Sequence, residues 1–207
     1  MIGKTNVKVK PNKKVEYVDF IESTGTQYID TGVGPNDNIT VEIKTSTKLD
    51  GTNLRALFGS RNSSSSDATR FALFFGDYDG SIYCDFQYST HYRKPSLTNY
   101  ISSDVPAILK FGKKGLFVNE TQVGTAFSVS VLNATKNMFL CAINTGGSAS
   151  GFYAGKIYYC KIYNGDTLIR DFKPVKDGTG EYCLYDEVEK RYYYNQGSGE
   201  FLGGVAA

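Results

Sequence analysis

Hydrophobic and polar residues alternate with a period of two along much of this chain. Over 39–44, Ile39, Val41 and Ile43 share one side, and Thr40, Glu42 and Lys44 the other. Ser128, Val129, Ser130 and Val131 repeat the pattern. Successive side chains of a strand point to opposite faces, so both segments read as half-buried strands. Other runs are apolar on both faces: Phe71-Ala72-Leu73-Phe74-Phe75, and Met138-Phe139-Leu140-Cys141-Ala142-Ile143. These suit central strands of a packed sandwich. A 3.6-residue period is missing; the nearest helical candidate, 96–103, is short and rich in Ser, Thr and Asn. Strands are predicted near 15–21, 26–31, 38–46, 54–60, 69–76, 81–88, 105–111, 115–119, 127–132, 137–144, 152–163, 167–173, 181–186 and 191–195.

The segments between them carry turn chemistry. Gly112-Lys113-Lys114-Gly115 predicts a tight hairpin with glycine where positive φ is needed. Asn164-Gly165, between Ile162-Tyr163 and Leu168-Ile169, is the strongest hairpin signal in the chain. Asp177-Gly178-Thr179-Gly180 and Gln196-Gly197-Ser198-Gly199 are further loops, and 62–67 is a polar one. Many strands and no helix predict an all-β protein, an antiparallel two-sheet sandwich. The expected organisation is a basic extended arm, 1–14, followed by one sandwich over 15–207.

Composition narrows the classes further. The 207 residues are 41% hydrophobic and 21% charged, which excludes a disordered or collagen-like chain. No stretch approaches the ~20 apolar residues that span a bilayer, so membrane insertion is not expected. The opening MIGKTNVKVK lacks the apolar core of a secretory signal. Net charge is +2. Residues 1–14 hold Lys4, Lys8, Lys10, Lys13 and Lys14 and no acid, so the remainder is mildly acidic. A basic arm on an acidic body is not a nucleic-acid footprint, which needs a basic face on the folded part. The arm reads either as a solvated tail or as an anchor that orders on a partner. Cys84, Cys141, Cys160 and Cys183 form no C-x-x-C pair and lie in apolar runs. They read as buried thiols rather than disulfides; Cys141 with Cys160, on neighbouring strands, is the pairing to expect if one forms.

The segments VEYVDFIESTGTQYIDTG (15–32) and KIYYCKIYNGDTLIRDFKPVKDGTGEYCLYDEVEKRYYYNQGSGEF (156–201) carry a resemblance. LFGSRN (57–62), FALFFG (71–76) and KFGKKGLFVNETQVG (110–124) lie between them. Together they resemble the laminin-G-like, concanavalin A-like jelly-roll domains of phage and prophage structural proteins, over about 15–203. The resemblance implies a jelly-roll sandwich with one concave and one convex sheet. It also implies glycan or surface binding, within a virion or a cell-surface adhesin. Where many members have Asn-Gly in the hairpin, Asn119 is here followed by Glu120.

Catalytic chemistry is sparse. Retaining glycosidases need two carboxylates about 5–5.5 Å apart. Glu42 is followed on its face by Lys44, Asp85 stands alone in its strand, and Asp186, Glu187 and Glu189 fall in a predicted solvated turn. The single histidine, His91, has no nucleophile elbow or zinc partners around it. In Gly76-Asp77-Tyr78-Asp79-Gly80, Asp77 and Asp79 place two carboxylates on one side of a turn, which suits calcium. Calcium takes 6–8 oxygens, however, and Asp-Gly is also a plain hairpin turn, which is the expectation here. The four Asn-x-Ser/Thr sequons, at Asn38, Asn62, Asn119 and Asn133, are incidental without secretion.

Sugar recognition needs aromatic faces and hydroxyl-binding polar groups. The chain has 16 Tyr, 13 Phe and no Trp. Tyr78, Tyr83, Tyr88, His91, Tyr92 and Arg93 are the predicted ligand-binding set, and at least one ring of Tyr192-Tyr193-Tyr194 should face outward. The expectation is a non-enzymatic bacteriophage virion protein whose sandwich binds host-surface or environmental glycans. Its lysine arm would anchor it to capsid, baseplate or tail proteins, with a homo-oligomer as a further partner. A capsid decoration protein without ligand, a bacterial surface adhesin and a glycosidase are the alternatives.

Overall fold

The protein is seen as a computed structural model that describes residues 15–46, 55–65, 69–75, 82–86, 101–128 and 134–204, and the backbone of 91–94. The described residues form nineteen strands and no helix. In chain order the first are β1 (Glu16–Tyr17), β2 (Ile21–Thr24), β3 (Ile29–Asp30), β4 (Ile39–Ser46), β5 (Arg55–Arg61), β6 (Arg70–Phe75) and β7 (Ile82–Phe86). Next come β8 (His91–Lys94), β9 (Ala107–Gly112), β10 (Gly115–Val118), β11 (Thr121–Gln122), β12 (Phe139–Leu140), β13 (Ile143–Thr145) and β14 (Ser148–Ser150). The last are β15 (Ala154–Asn164), β16 (Thr167–Lys176), β17 (Tyr182–Asp186), β18 (Arg191–Tyr193) and β19 (Leu202–Gly203).

Two sheets result. The first runs β11-β10-β9-β4-β15-β16-β17-β18, and the second β14-β13-β5-β6-β7-β8. Most neighbours are antiparallel; β13 runs parallel to β5. At the middle of the first sheet, β4 pairs with β9 on one side and β15 on the other. The predicted alternation in β4 holds: Ile39, Val41 and Ile43 are buried, and Thr40, Glu42 and Lys44 are not. Opposite them Cys160 and Ile162 of β15, and Leu109 and Phe111 of β9, are buried too. The second sheet contributes Leu57, Phe58, Phe71, Leu73, Phe75, Ile82, Cys84 and Phe86 to the same core. Phe111 is at its centre, 4.9 Å from Phe71 and within about 6 Å of Phe58, Phe86 and Phe127 between ring centroids. Tyr153 is fully buried, its hydroxyl bonded to Thr45 Oγ1 at 2.7 Å and donating to the Ser46 carbonyl at 3.0 Å.

The N-terminal strands fill a wedge. β15 pairs with β16 over 160–164, but over 154–157 the same side of β15 pairs with β2. Farther along, β1 pairs with β16 at 175–176, and β19 borders β2. Both predicted hairpins form. Gly165 takes φ +60° at the first central position of the β15–β16 turn, and Gly115 takes φ +102° in the β9–β10 turn. A Cβ on Gly115 would lie 2.5 Å from the Gly124 carbonyl oxygen. Asn119 and Glu120 both have positive φ, the geometry of a primed two-residue turn, although the second residue is not glycine.

Several expectations are corrected. The predicted strand 137–144 is broken, because Cys141 turns the chain at φ +63° between β12 and β13. Residues 91–94, not predicted as a strand, pair with β7. β11, β14 and β19 are short strands that the sequence does not announce. Phe127 packs in the core without strand pairing, and 129–132 lie outside the described residues. All four cysteines are buried thiols, as expected. Cys141 and Cys160 are not on neighbouring strands: Cys141 is at the bend between β12 and β13 of the second sheet, and Cys160 is on β15 of the first. Burial pushes the Cys141 thiol up to about 12 and raises that of Cys160.

The central place of Phe111 gives a direct expectation. Phe111→Ala should lower unfolding free energy by about 3–5 kcal/mol, the range for emptying an aromatic core site. Thr40→Ala, on the opposite face of the sheet, should change it by less than about 0.5 kcal/mol. Urea denaturation of the two variants measures both, and equal losses would contradict this placement of the core.

Candidate functional site

The polar face of the first sheet is built by the same alternation that builds the core. Thr40 and Glu42 of β4, Ile108 and Lys110 of β9, Phe117 of β10 and Tyr163 of β15 all lie on the side away from the second sheet. They floor a groove of about 840 Å³. Its rim at one end consists of Asp37 and Asn38 before β4, the Lys113–Lys114 turn, and the Gly165–Asp166 turn. Register explains why these meet: Thr40 is opposite both Gly112 and Tyr163, so all three chain reversals fall at the same end of the sheet. Glu120 lies at the other end, beside Ile108. Four residues of β9 separate the two ends, about 13 Å at the strand rise.

Cross-strand neighbours set the groove's charges. Phe117, Lys110, Glu42, Lys161 and Asp171 form one row across β10, β9, β4, β15 and β16. Glu42 therefore has a lysine on each side. Its carboxylate accepts a hydrogen bond from the Tyr159 hydroxyl at 3.2 Å. Burial, followed by the charge and hydrogen bond of Glu42, pushes the Tyr159 phenol up to about 12. Tyr163 is raised as well, by burial first and then by Glu42 and Asp171. The Lys110 ammonium lies 6.0 Å from the centre of the Tyr163 ring. On the rim, Lys113 pairs with Asp37 Oδ2 at 3.5 Å, while Asp37 Oδ1 accepts no hydrogen bond. Aromatic faces, carboxylates, ammonium groups and an amide thus converge on one open groove.

A second polar cluster lies around the β17–β18 turn. Asp186, predicted to be solvated, is fully buried. Its Oδ1 accepts from the Asp171 and Val188 amides at 2.9 and 3.0 Å, and its Oδ2 is 3.6 Å from Arg170 Nε. Arg170 also pairs with Glu189 at 2.7 Å and donates to the Thr31 carbonyl at 3.2 Å. Glu189 is bonded in turn by Tyr193 and Arg191. Every group here faces another protein group across the β17–β18 turn, so the cluster reads as a structural tie. Tyr193 belongs to the core against Phe172, while the half-buried Tyr192 and Tyr194 rings stack on each other at 6.1 Å.

Of the predicted ligand residues, Tyr83 alone has a described side chain. Tyr83 is on β7 in the second sheet and packs against a small cluster of Ala56, Ala72, Phe74 and Ile143, on the face away from the main core. Register pairs Tyr83 with Arg93, Cys84 with Tyr92, and Asp85 with His91, so Tyr83, His91, Tyr92 and Arg93 share one hairpin. Tyr78, Tyr88, the carboxylates Asp77 and Asp79, and Lys4, Lys8, Lys10, Lys13 and Lys14 lie outside the described residues. Tyr83, whose side chain is described, does not line the groove of the first sheet. Among the described residues, no three His, Cys, Asp or Glu side chains gather as a metal site. The sequence signal for the groove was present: Thr40, Glu42 and Lys44 alternate against the core positions, as do Tyr159, Lys161 and Tyr163.

No protein-family profile and no curated protein matches the chain. Among solved structures, a Bacteroides ovatus protein described provisionally as carbohydrate-binding superposes with a TM-score of 0.62 at 13% identity. The match covers 94% of this chain and 62% of that one, so this chain spans less than two thirds of that protein. The CBM40 module of a Ruminococcus gnavus IT-sialidase aligns over 73% of this chain and 90% of its own, at 15% identity and a TM-score of 0.49. A tailspike protein of an Escherichia coli O157:H7 bacteriophage aligns over 79% of this chain and 28% of its own, at 12% identity and 0.45. The first likeness establishes the fold, an all-β sandwich of two sheets; the other two are too loose to carry an argument. It does not single out laminin-G domains among such sandwiches.

The Tyr159–Glu42 contact is open to titration. The folded phenol is raised above the ordinary 10 toward about 12, so the protein should lose stability as pH climbs through that interval. In Glu42→Gln the charge is gone, and the Tyr159 midpoint should fall below about 12 yet stay above the ordinary 10, because burial is the larger cause. Difference spectra at 295 nm against Tyr159→Phe isolate this one phenol. An unchanged midpoint in Glu42→Gln would remove the carboxylate from the account.

Proposed function

We propose that this protein is a non-catalytic carbohydrate-binding module, and that sugar occupies the groove on the first sheet. The observation that carries the reading is the pairing of Tyr163 and Phe117 with Glu42, Asn38 and Thr40 on one concave surface. Apolar ring faces cover the C–H face of a sugar, and convergent acceptors and donors take its hydroxyls. The fold likeness to the Bacteroides ovatus protein supports the same reading. The non-catalytic part rests on register: Glu42 has Lys110 and Lys161 as its cross-strand neighbours, where a paired-carboxylate mechanism wants a second acid.

A finer reading follows from the resemblance of residues 15–32 and 156–201. In it the module belongs to a bacteriophage particle, faces outward, and is held by the lysines of the 1–14 arm. Weak single sites would gain avidity from many copies. Removing 1–14 should then abolish incorporation into particles, and incorporation at the normal level would rule the tether out.

The test of the groove is a glycan array probed with the full-length chain displayed multivalently. Tyr163→Ala should weaken binding about tenfold or more, the scale of truncating a recognition aromatic. Tyr83→Ala should leave binding unchanged. The reverse result would move the site to the β7–β8 hairpin, with Tyr78, Tyr88, His91, Tyr92 and Arg93 as its further members. Loss of binding on adding EDTA would bring in Asp77 and Asp79 as calcium ligands.

A further inference from the structure

We infer that the groove selects uncharged glycans and discriminates against sugars bearing a carboxylate. This rests on the groove being the sugar site. The observation is the balance and placement of its charges. The lining has four carboxylates, Asp37, Glu42, Glu120 and Asp166, against three ammonium groups, Lys110, Lys113 and Lys114. One negative charge is therefore in excess. The placement matters more than the total. Glu42 is in the floor, in the middle of the sheet, where its Tyr159 hydrogen bond fixes it. Two of the three lysines are engaged, Lys113 with Asp37 and Lys110 between Glu42 in register and the Tyr163 ring, while Lys114 is on the rim turn rather than the floor.

An anionic sugar stacked on Tyr163 would bring its carboxylate against the Glu42 carboxylate. Like charges facing each other across an interface are unfavourable and serve to reject wrong partners. A neutral sugar in the same pose meets Glu42 as a hydroxyl acceptor, and hydrogen bonds to a charged acceptor are the strong ones. Glu42 acts with this sign on both Tyr159 and Tyr163, raising each phenol after the larger effect of burial. Lys161 and Lys173 flank Tyr159 outside the groove, but Lys173 is itself paired with Asp171 at 3.0 Å. Lys44, two residues along β4 from Glu42 on the same face, lies over the Tyr158 ring and is likewise not part of the groove lining.

The experiment compares matched pairs on one surface: lactose with sialyllactose, and glucose oligomers with glucuronate oligomers of equal length. The full-length chain is displayed multivalently at 20 and 150 mM salt. The neutral members should bind at least about tenfold more tightly, with the gap wider at low salt, where screening is weaker. Glu42→Gln should narrow the gap and Lys110→Gln should widen it, so that the two substitutions move it in opposite directions. Each variant is first checked by urea denaturation. Equal or tighter binding of the acidic members, still abolished by Tyr163→Ala, overturns the selectivity and leaves the groove as the sugar site. No binding by any pair, or binding that Tyr163→Ala leaves intact, overturns the groove itself.

Discussion

Register between β4 and β15 is the constraint on which the rest of the structure depends. Beyond a bulge at Ile157–Tyr159 it holds over six successive pairs, and β9 repeats it on the other side of β4. One setting sends Ile39, Val41, Ile43, Cys160 and Ile162 into the core and Thr40, Glu42, Lys161 and Tyr163 to the open face. A slip of one residue in β4 would turn Ile39, Val41 and Ile43 outward and bury Glu42. Core and groove are therefore two readings of one pairing. The groove side chains stand on strands whose other faces are packed, which is what keeps such a surface preformed.

Much of this was legible in the sequence, and what was not has specific physical reasons. β4 and the Asn164-Gly165 hairpin declare themselves through strict alternation and turn chemistry. β15 does not, because Ile157 and Cys160 are both buried although three residues apart. The pairing accommodates this with a bulge between Ile157 and Tyr159, which leaves Tyr158 and Tyr159 both outside the core. A period of two alone cannot foresee that irregularity. In the same way the apolar run 138–143 gives no hint that Cys141 turns the chain. Short edge strands such as β11 and β19 owe their existence to neighbours rather than to their own two residues.

The groove was missed for a different reason. Its lining comes from residues 37–42, 108–120 and 163–166, and only the sheet order β10-β9-β4-β15 brings them together. The amphipathic character of tyrosine, the ground for expecting the mid-chain rings at a ligand, carries no information on sheet order. Asp186 illustrates the opposite error. In a run of acids it looks like a solvated turn residue, yet two backbone amides and Arg170 make its burial tolerable. Charge in sequence does not say which carboxylate will find partners.

The wedge of β1 and β2 bears on how the chain comes together. β2 is hydrogen-bonded to β15 and, at Glu22, to Leu202 of β19. The earliest strands therefore wait for partners that leave the ribosome more than a hundred residues later. Until then β4, with Ile39, Val41 and Ile43 in line, has no permanent neighbour on its β15 side. Loop closure over such separations is paid before contacts reward it, so folding is slow and its intermediates expose unpaired apolar edges. Yield in a recombinant host should thus be governed less by the stability of the finished sandwich than by how long these edges stay uncovered during synthesis.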